Sequence, residues 1–431
     1  MYLSRKGHLV FLFLQLAAFL FCAASAEGKT VVWKVPVFYV TDRAPKGDGF
    51  GSKRLAENNT VSALRSGIVD VCIPVKGNQS LTEWQKDAEP FATCAKVERL
   101  KFTPFKCETA EDLSGQFDST LAEAIRKSPR KEAFIFVHGF NCTFEDAAQN
   151  AARLRFYTGC PVIMYTWPSA EKVYRYSEDE CNNEWSQEHF TEFIENIAAV
   201  KQSAQFKLNL VAHSMGNRLF VRAMTSPQIK GLFSDVFMVY PDFDAQTFIH
   251  YLSRYIPKNG FATGVRGEIL VSHKDQALST AEAVFGGYTR LGQGADFTLS
   301  ALTRPDLFSN IWGKTKSEAG GQDETSEERK ASIKRTVSIV DVTVLDHGLL
   351  GHKVPYEYIA WMHQRNRAPE GFELHEDQSR GCNRMSSMWA RLCGQKVASP
   401  LGSYLIVTKS GHEDSRAVHA KAENSSHSAD K

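Results

Sequence analysis

Along the chain, short apolar runs alternate with stretches whose apolar residues recur at helical spacing. The segments "VVWKVPVFYVTDR" and "SGIVDVCIPV" are rich in β-branched and aromatic residues and read as strands, with a Gly-rich polar loop between them. "FDSTLAEAIRK" carries the helical period, and a Pro-containing turn leads into a buried strand from Ala133 to Val137. "EDAAQNAARLRFYTG" is again helical, with Gly159 as its stop, and "CPVIMYTWPS" is a short strand. The alternation continues with "EWSQEHFTEFIENIAAVKQSA" as helix, "FKLNLVAH" as strand, "MGNRLFVRAMTS" as helix and "DVFMVYPD" as strand. "AQTFIHYLSRYI" and "QALSTAEAVFG" read as helices, "GEILVSHKD" as the strand between them, and "RTVSIVDVTVL" as the final strand. Strands that are apolar on both sides and separated by helices predict a mostly parallel, doubly wound α/β sheet with helices on both faces.

Three segments stand outside that pattern. Residues 313–334 form a polar insertion, 371–409 an extension, and 410–431 a polar tail expected to be disordered. The first 26 residues place Arg5 and Lys6 before an apolar run that ends in Ala24-Ser25-Ala26, the layout of a cleaved secretory signal. Export to a secreted or periplasmic location follows, with a membrane-anchored form if the segment is retained. No later segment is long and apolar enough to span a bilayer. A lipid-modified Cys22 is disfavoured by the bulky Phe21 before it.

Composition adds exclusions. The 431 residues carry a formal net charge of +2 with no basic stripe, which gives no reason to expect nucleic acid as a partner. Removing the signal leaves eight cysteines of the nine, an even number that fits disulfides in an exported chain; Cys94 with Cys107 and Cys382 with Cys393 would close short loops. No clustered Cys/His spacing points to a metal, and no cofactor motif is present. Sequons at Asn58, Asn78, Asn141 and Asn424 are assigned no function.

The chemistry centres on "LNLVAHSMGNRL", where an apolar strand breaks at Ser214 before a helical segment. This resembles the nucleophile elbow G-x-S-x-G with Ala212 at its first position. A serine hydroxyl needs a histidine to take its proton and an acid to orient that histidine, each on a loop after a later strand. Asp275 in "ILVSHKDQAL" is the favoured acid, and Asp242, beside Asp244 in "VYPDFDA", is the alternative. The final strand is followed by "DHGLLGHKVPYEY", which offers His352 and His347 as bases, and spacing does not choose between them. His250, His273 and His363 lie in helical segments or off that loop and read as structural or surface residues. The oxyanion would take the amides of Met215 and of Phe140, the latter in the "HGF" loop, where His138 shapes the backbone. Phe140, Trp167, Tyr174 and Tyr176 are candidates for an apolar acyl pocket.

The ordered series "VFYVTDR", "FVHGFNCTFEDAAQNAARL", "YTWPSA", "LVAHSMGNRL", "VYPDFDAQTF", "SHKDQAL", "YTRLGQG" and "GHKVPYEY" resembles a bacterial α/β-hydrolase family of unknown function in the esterase/lipase superfamily. The resemblance implies an α/β-hydrolase fold over residues 27–370 and a triad on Ser214, Asp275 and His352, the last chosen over His347 because "G-H-x-x-x-Y" matches the family's terminal histidine segment. The expected activity is cleavage of a small-molecule or lipid carboxylic ester without cofactor, with lipase, thioesterase and peptidase as variants of the same mechanism. A non-catalytic binding protein that keeps the fold is the rival reading.

Overall fold

The computed structural model describes residues 30–55, 64–76, 106–107, 111–113, 115–226, 229, 231–254, 261–284, 286–293, 337–345, 351–365, 372–376 and 402–408. The signal segment, the insertion, the tail, His347, Cys94, Cys382, Cys393 and the sequons at Asn58, Asn78 and Asn424 lie outside the described residues. A small compact unit comprises Met1–Lys34 and Cys72–Lys106; the main unit, Val35–Val71 with Cys107–Lys431, holds every candidate site residue.

The strands are β1 (Thr30–Thr41), β2 (Arg43–Lys46), β3 (Gly49–Arg54), β4 (Arg65–Lys76), β5 (Lys106–Cys107), β6 (Glu111–Asp112), β7 (Glu132–Val137), β8 (Val162–Thr166), β9 (Lys207–His213), β10 (Phe233–Val239), β11 (Phe261–Val271), β12 (Val337–Asp341), β13 (Phe372–Glu376) and β14 (Gly402–Thr408). The helices are α1 (Phe117–Lys127), α2 (Phe144–Thr158), α3 (Tyr176–Trp185), α4 (Gln187–Ala204), α5 (Gly216–Ala223), α6 (Ala245–Arg254), α7 (Gln276–Val284) and α8 (Tyr356–Arg365). The main sheet runs β13-β14-β12-β11-β10-β9-β7-β8-β1-β4-β5, with β6 paired to β4, and β2 and β3 form a separate hairpin. Neighbours from β14 through to β1 are parallel, while β13 is antiparallel to β14. β7 and β8 are buried along their whole length, as the unbroken apolar runs require of a sheet covered on both faces.

The order of the strands locates the crevice. The connection after β7 leads through α2 to β8 on one side, and the connection after β9 leads through α5 to β10 on the other. β7 and β9 are neighbours, so their carboxyl ends form the switch point at which open α/β sheets bind ligands. His138 and Phe140 follow β7, and Ser214 and Met215 follow β9.

Several elements differ from the sequence reading. The helix expected from Glu184 to Ala204 is α4 from Gln187 onward, while Glu184 and Trp185 end α3, with buried Ser186 between the two. The final strand stops at Asp341, whose Oδ1 accepts the Thr343 N–H at 3.0 Å and draws the chain into a short 3-10 turn. β13 and β14 come from the extension at 371–409, which contributes to the same sheet instead of standing apart from it. The expected stop at Gly159 holds: it caps α2 in the left-handed region at φ 69, and Thr143 with Asp146 forms a capping box at the other end.

Candidate active site

β9 enters the core through Leu208 to Ala212, all buried, and the chain then turns sharply at Ser214. Ser214 has φ 50, a left-handed conformation that costs a non-glycine residue on the order of 1 kcal/mol or more and is held by its surroundings. Its N–H donates to Val239 O at 2.9 Å, its carbonyl accepts Asp242 N–H at 3.2 Å, and Asn217 Nδ2 donates to the carbonyls of Ala212 and Ser214. Two glycines let the neighbouring loop close on this turn. A Cβ at Gly139 would lie 2.6 Å from Ser214 Cβ, and one at Gly216 would lie 2.4 Å from His138 O. Ala212, by contrast, sits inside the strand with its methyl in the hydrophobic core, so a glycine is not needed at that position.

Asp275 follows β11 and performs two tasks with its two oxygens. Oδ1 accepts the Leu278 N–H at 2.9 Å, capping α7, and Oδ2 lies 2.6 Å from His352 Nδ1. The carboxylate is fully enclosed, with its side chain 0% exposed. Gly351, at φ 67, makes that approach possible, since a Cβ there would stand 2.1 Å from Lys274 O. His352 is also fixed from the elbow side: His213 Nε2 lies 3.1 Å from the His352 carbonyl, which accepts its proton, and the two rings are 4.8 Å apart. The Tyr240 ring lies 5.5 Å from that of His352. With Nδ1 turned to Asp275, Nε2 is the nitrogen left for chemistry. Ser214 Oγ makes no hydrogen bond to another described residue, and contacts of this kind commonly tighten only around a substrate.

The loop after β7 is braced from beneath. His138 is buried, its Nε2 accepts the Trp167 N–H at 3.1 Å, and its Nδ1 therefore donates to Gly139 O at 2.8 Å. Burial, followed by the charge of Arg43, pushes the His138 pKa down to about 3, so the ring is neutral. Trp167 stacks on it at 4.9 Å and donates from Nε1 to the His138 carbonyl. Arg43, wholly buried at the start of β2, reaches the same loop: Nη2 donates to Cys142 O at 2.6 Å, and Nε donates to Thr166 Oγ1. Asp179 on α3 accepts the Asn141 N–H at 3.0 Å and the Ser169 hydroxyl at 2.6 Å. The amides of Phe140 and Met215 donate to no other described residue.

The alternative acid is occupied elsewhere. Asp242 receives the Tyr176 hydroxyl and faces Arg218 Nη2 at 3.3 Å and Arg290 Nε at 3.5 Å, while Arg218 also pairs with Glu180 at 2.6 Å. Asp242 thus ties α3, α5 and the loop after α7 together and does not meet His352. Of the expected pocket aromatics, Trp167 is fully buried against His138, Tyr176 opens α3 with its ring 5.0 Å from Phe140, and Tyr174 projects into solvent at 81% exposed. His273 pairs with Asp341 at 2.8 Å, joining the loops after β11 and β12. Arg43 and Asp179 are supports that the sequence reading did not single out; the only signal was the polar "TDR" that ends an otherwise apolar strand. Among the described residues there is no disulfide, and Cys142, Cys160 and Cys181 carry free thiols. The described helices include none long and apolar enough to cross a membrane.

Residues 114–301 match the family described as alpha/beta hydrolase of unknown function (DUF900). The matched stretch holds Phe140, Ser214, Met215, Asp242 and Asp275 and ends before His352. No curated protein and no solved structure matches the chain.

Proposed function

We propose that this α/β hydrolase is an exported serine hydrolase that cleaves carboxylic esters. Ser214 attacks the carbonyl carbon, His352 takes the hydroxyl proton on Nε2 and returns it to the leaving alcohol, and Asp275 holds the ring in the tautomer with a proton on Nδ1. The amides of Phe140 and Met215 receive the oxyanion. Water, activated by the same histidine, then releases the acyl group and restores the serine. One observation supports this reading most: the strained Ser214 turn and a His352–Asp275 pair at 2.6 Å converge on one sheet edge, bridged by His213 next to the serine.

Export rests on the N-terminal layout of Arg5, Lys6, an apolar run and Ala24-Ser25-Ala26. The substrate is a small-molecule or lipid ester, and no step calls for a metal or a cofactor. Hydrolysis of p-nitrophenyl esters from short to long acyl chains tests the proposal. Turnover that disappears in Ser214→Ala supports it, and turnover that persists in that variant refutes the assignment. A preference for long chains would assign a lipid substrate.

A further inference from the structure

At the opposite end of the sheet, three side chains far apart in sequence come together. Glu132 opens β7, Cys160 lies in the turn before β8, and His363 sits on the last turns of α8. One ligand atom from each, a carboxylate oxygen, Sγ and an imidazole nitrogen, lies within 4.8 Å of the other two. All three are enclosed: Cys160 is 0% exposed, and the Glu132 and His363 side chains are 10% and 4% exposed. We propose that Glu132, Cys160 and His363 form a binding site for a borderline transition-metal cation, zinc above all, separate from the esterase site.

The donor chemistry suits such an ion. Carboxylate, thiolate and imidazole are the ligand types zinc takes, and a tetrahedral ion holds them roughly 3.3–3.5 Å apart; here the His363–Glu132 pair is at 2.8 Å and all three atoms lie within 4.8 Å of one another. His363 Nε2 and Glu132 Oε2 already form an ion pair at 2.8 Å, so two of the three donors face each other across the cluster. The other nitrogen, His363 Nδ1, lies 2.9 Å from Asp235 Oδ2 on β10, the carboxylate–histidine arrangement that orients a metal-bound imidazole. Arg155 on α2, half-buried, places its charge near Cys160. Lys207 Nζ is 3.9 Å from Glu132 Oε1 but exposed, so it competes weakly.

Without the ion, the same atoms form a proton-centred cluster. Burial opposes a charge on His363, but contacts with Asp235, Cys160 and Glu132 outweigh it and push its pKa up to about 10. The consequence of binding would be mechanical: the ion would pin α8, four residues after His352, to the starts of β7 and β8, the length of β7 away from the elbow, roughly 17 Å at the usual rise per residue.

Cobalt(II) is the probe. The full-length protein is stripped with chelator, dialysed against Co2+ and examined by near-ultraviolet absorption and elemental analysis. We expect about one ion per chain, a thiolate-to-cobalt charge-transfer band, and loss of that band in Cys160→Ser and His363→Gln but not in Cys181→Ser. Far-ultraviolet circular dichroism checks that each variant is folded. A wild-type protein that takes up no stoichiometric cobalt and shows no band overturns the proposal, and so does a band that survives in Cys160→Ser. Neither result depends on ester turnover, so the metal site and the esterase site stand or fall separately.

Discussion

At the scale of single residues, the two candidate acids separate by their contacts. Asp275 meets His352 Nδ1 and a helix amide, whereas Asp242 is held by Tyr176, Arg218 and Arg290. Asp275→Asn keeps the shape but reverses the tautomer preference, and a fall in kcat of about 10^4-fold is expected from the comparable change in serine hydrolases. Asp242→Asn should lose stability in urea titration while keeping most of kcat in the protein that remains folded. His138 gives a pH signature. Its folded pKa of about 3 lies below the unfolded value of 6.5, so the unfolded chain binds a proton first on acidification. The stabilisation from neutral His138 is complete above about pH 6.5 and is lost as the pH falls towards 3. Urea midpoints measured at pH 7 and pH 4 should differ less in His138→Gln than in the parent protein.

At the scale of elements, the site is a meeting of turns, and its legibility follows from how local each turn is. The elbow was readable because strand, turn and helix are continuous in "LNLVAHSMGNRL", and the α2 stop was readable because Gly159 alone supplies the left-handed cap. The break at Ser186 was not, since neither a glycine nor a proline marks it. Arg43 escaped because its partners Gly51, Cys142, Thr166 and Glu171 come from three other segments. The approach that shapes the elbow is at Gly216, where any side chain meets the His138 carbonyl. Gly216→Ala should therefore cost about 1–3 kcal/mol by forced displacement. Thermal unfolding checks the cost, and ester turnover should fall further than the loss of folded protein explains, because the Met215 amide, proposed to receive the oxyanion, moves with the helix.

At the scale of the whole molecule, the parallel sheet and its covering helices were legible from period and composition, since apolar strands must be buried on both faces. The strands β13 and β14 were not, because their segment is separated by a long polar stretch and carries no helical partner in the pattern. The Glu132, Cys160 and His363 cluster was equally hidden: spacing rules look for ligands close in sequence, and the fold alone brings residues 132, 160 and 363 together. In the proposed mechanism the sheet brings Ser214, Asp275 and His352 together from three separate loops after its strands. The most direct test of that convergence is covalent. The folded protein is incubated with a fluorophosphonate and its labelled peptides are mapped by mass spectrometry. One adduct per chain on Ser214, abolished in Ser214→Ala and strongly slowed in both His352→Ala and Asp275→Asn, is the expected result. Absence of labelling in folded protein, or an adduct on any other residue, would contradict an acyl-transfer site built on this serine.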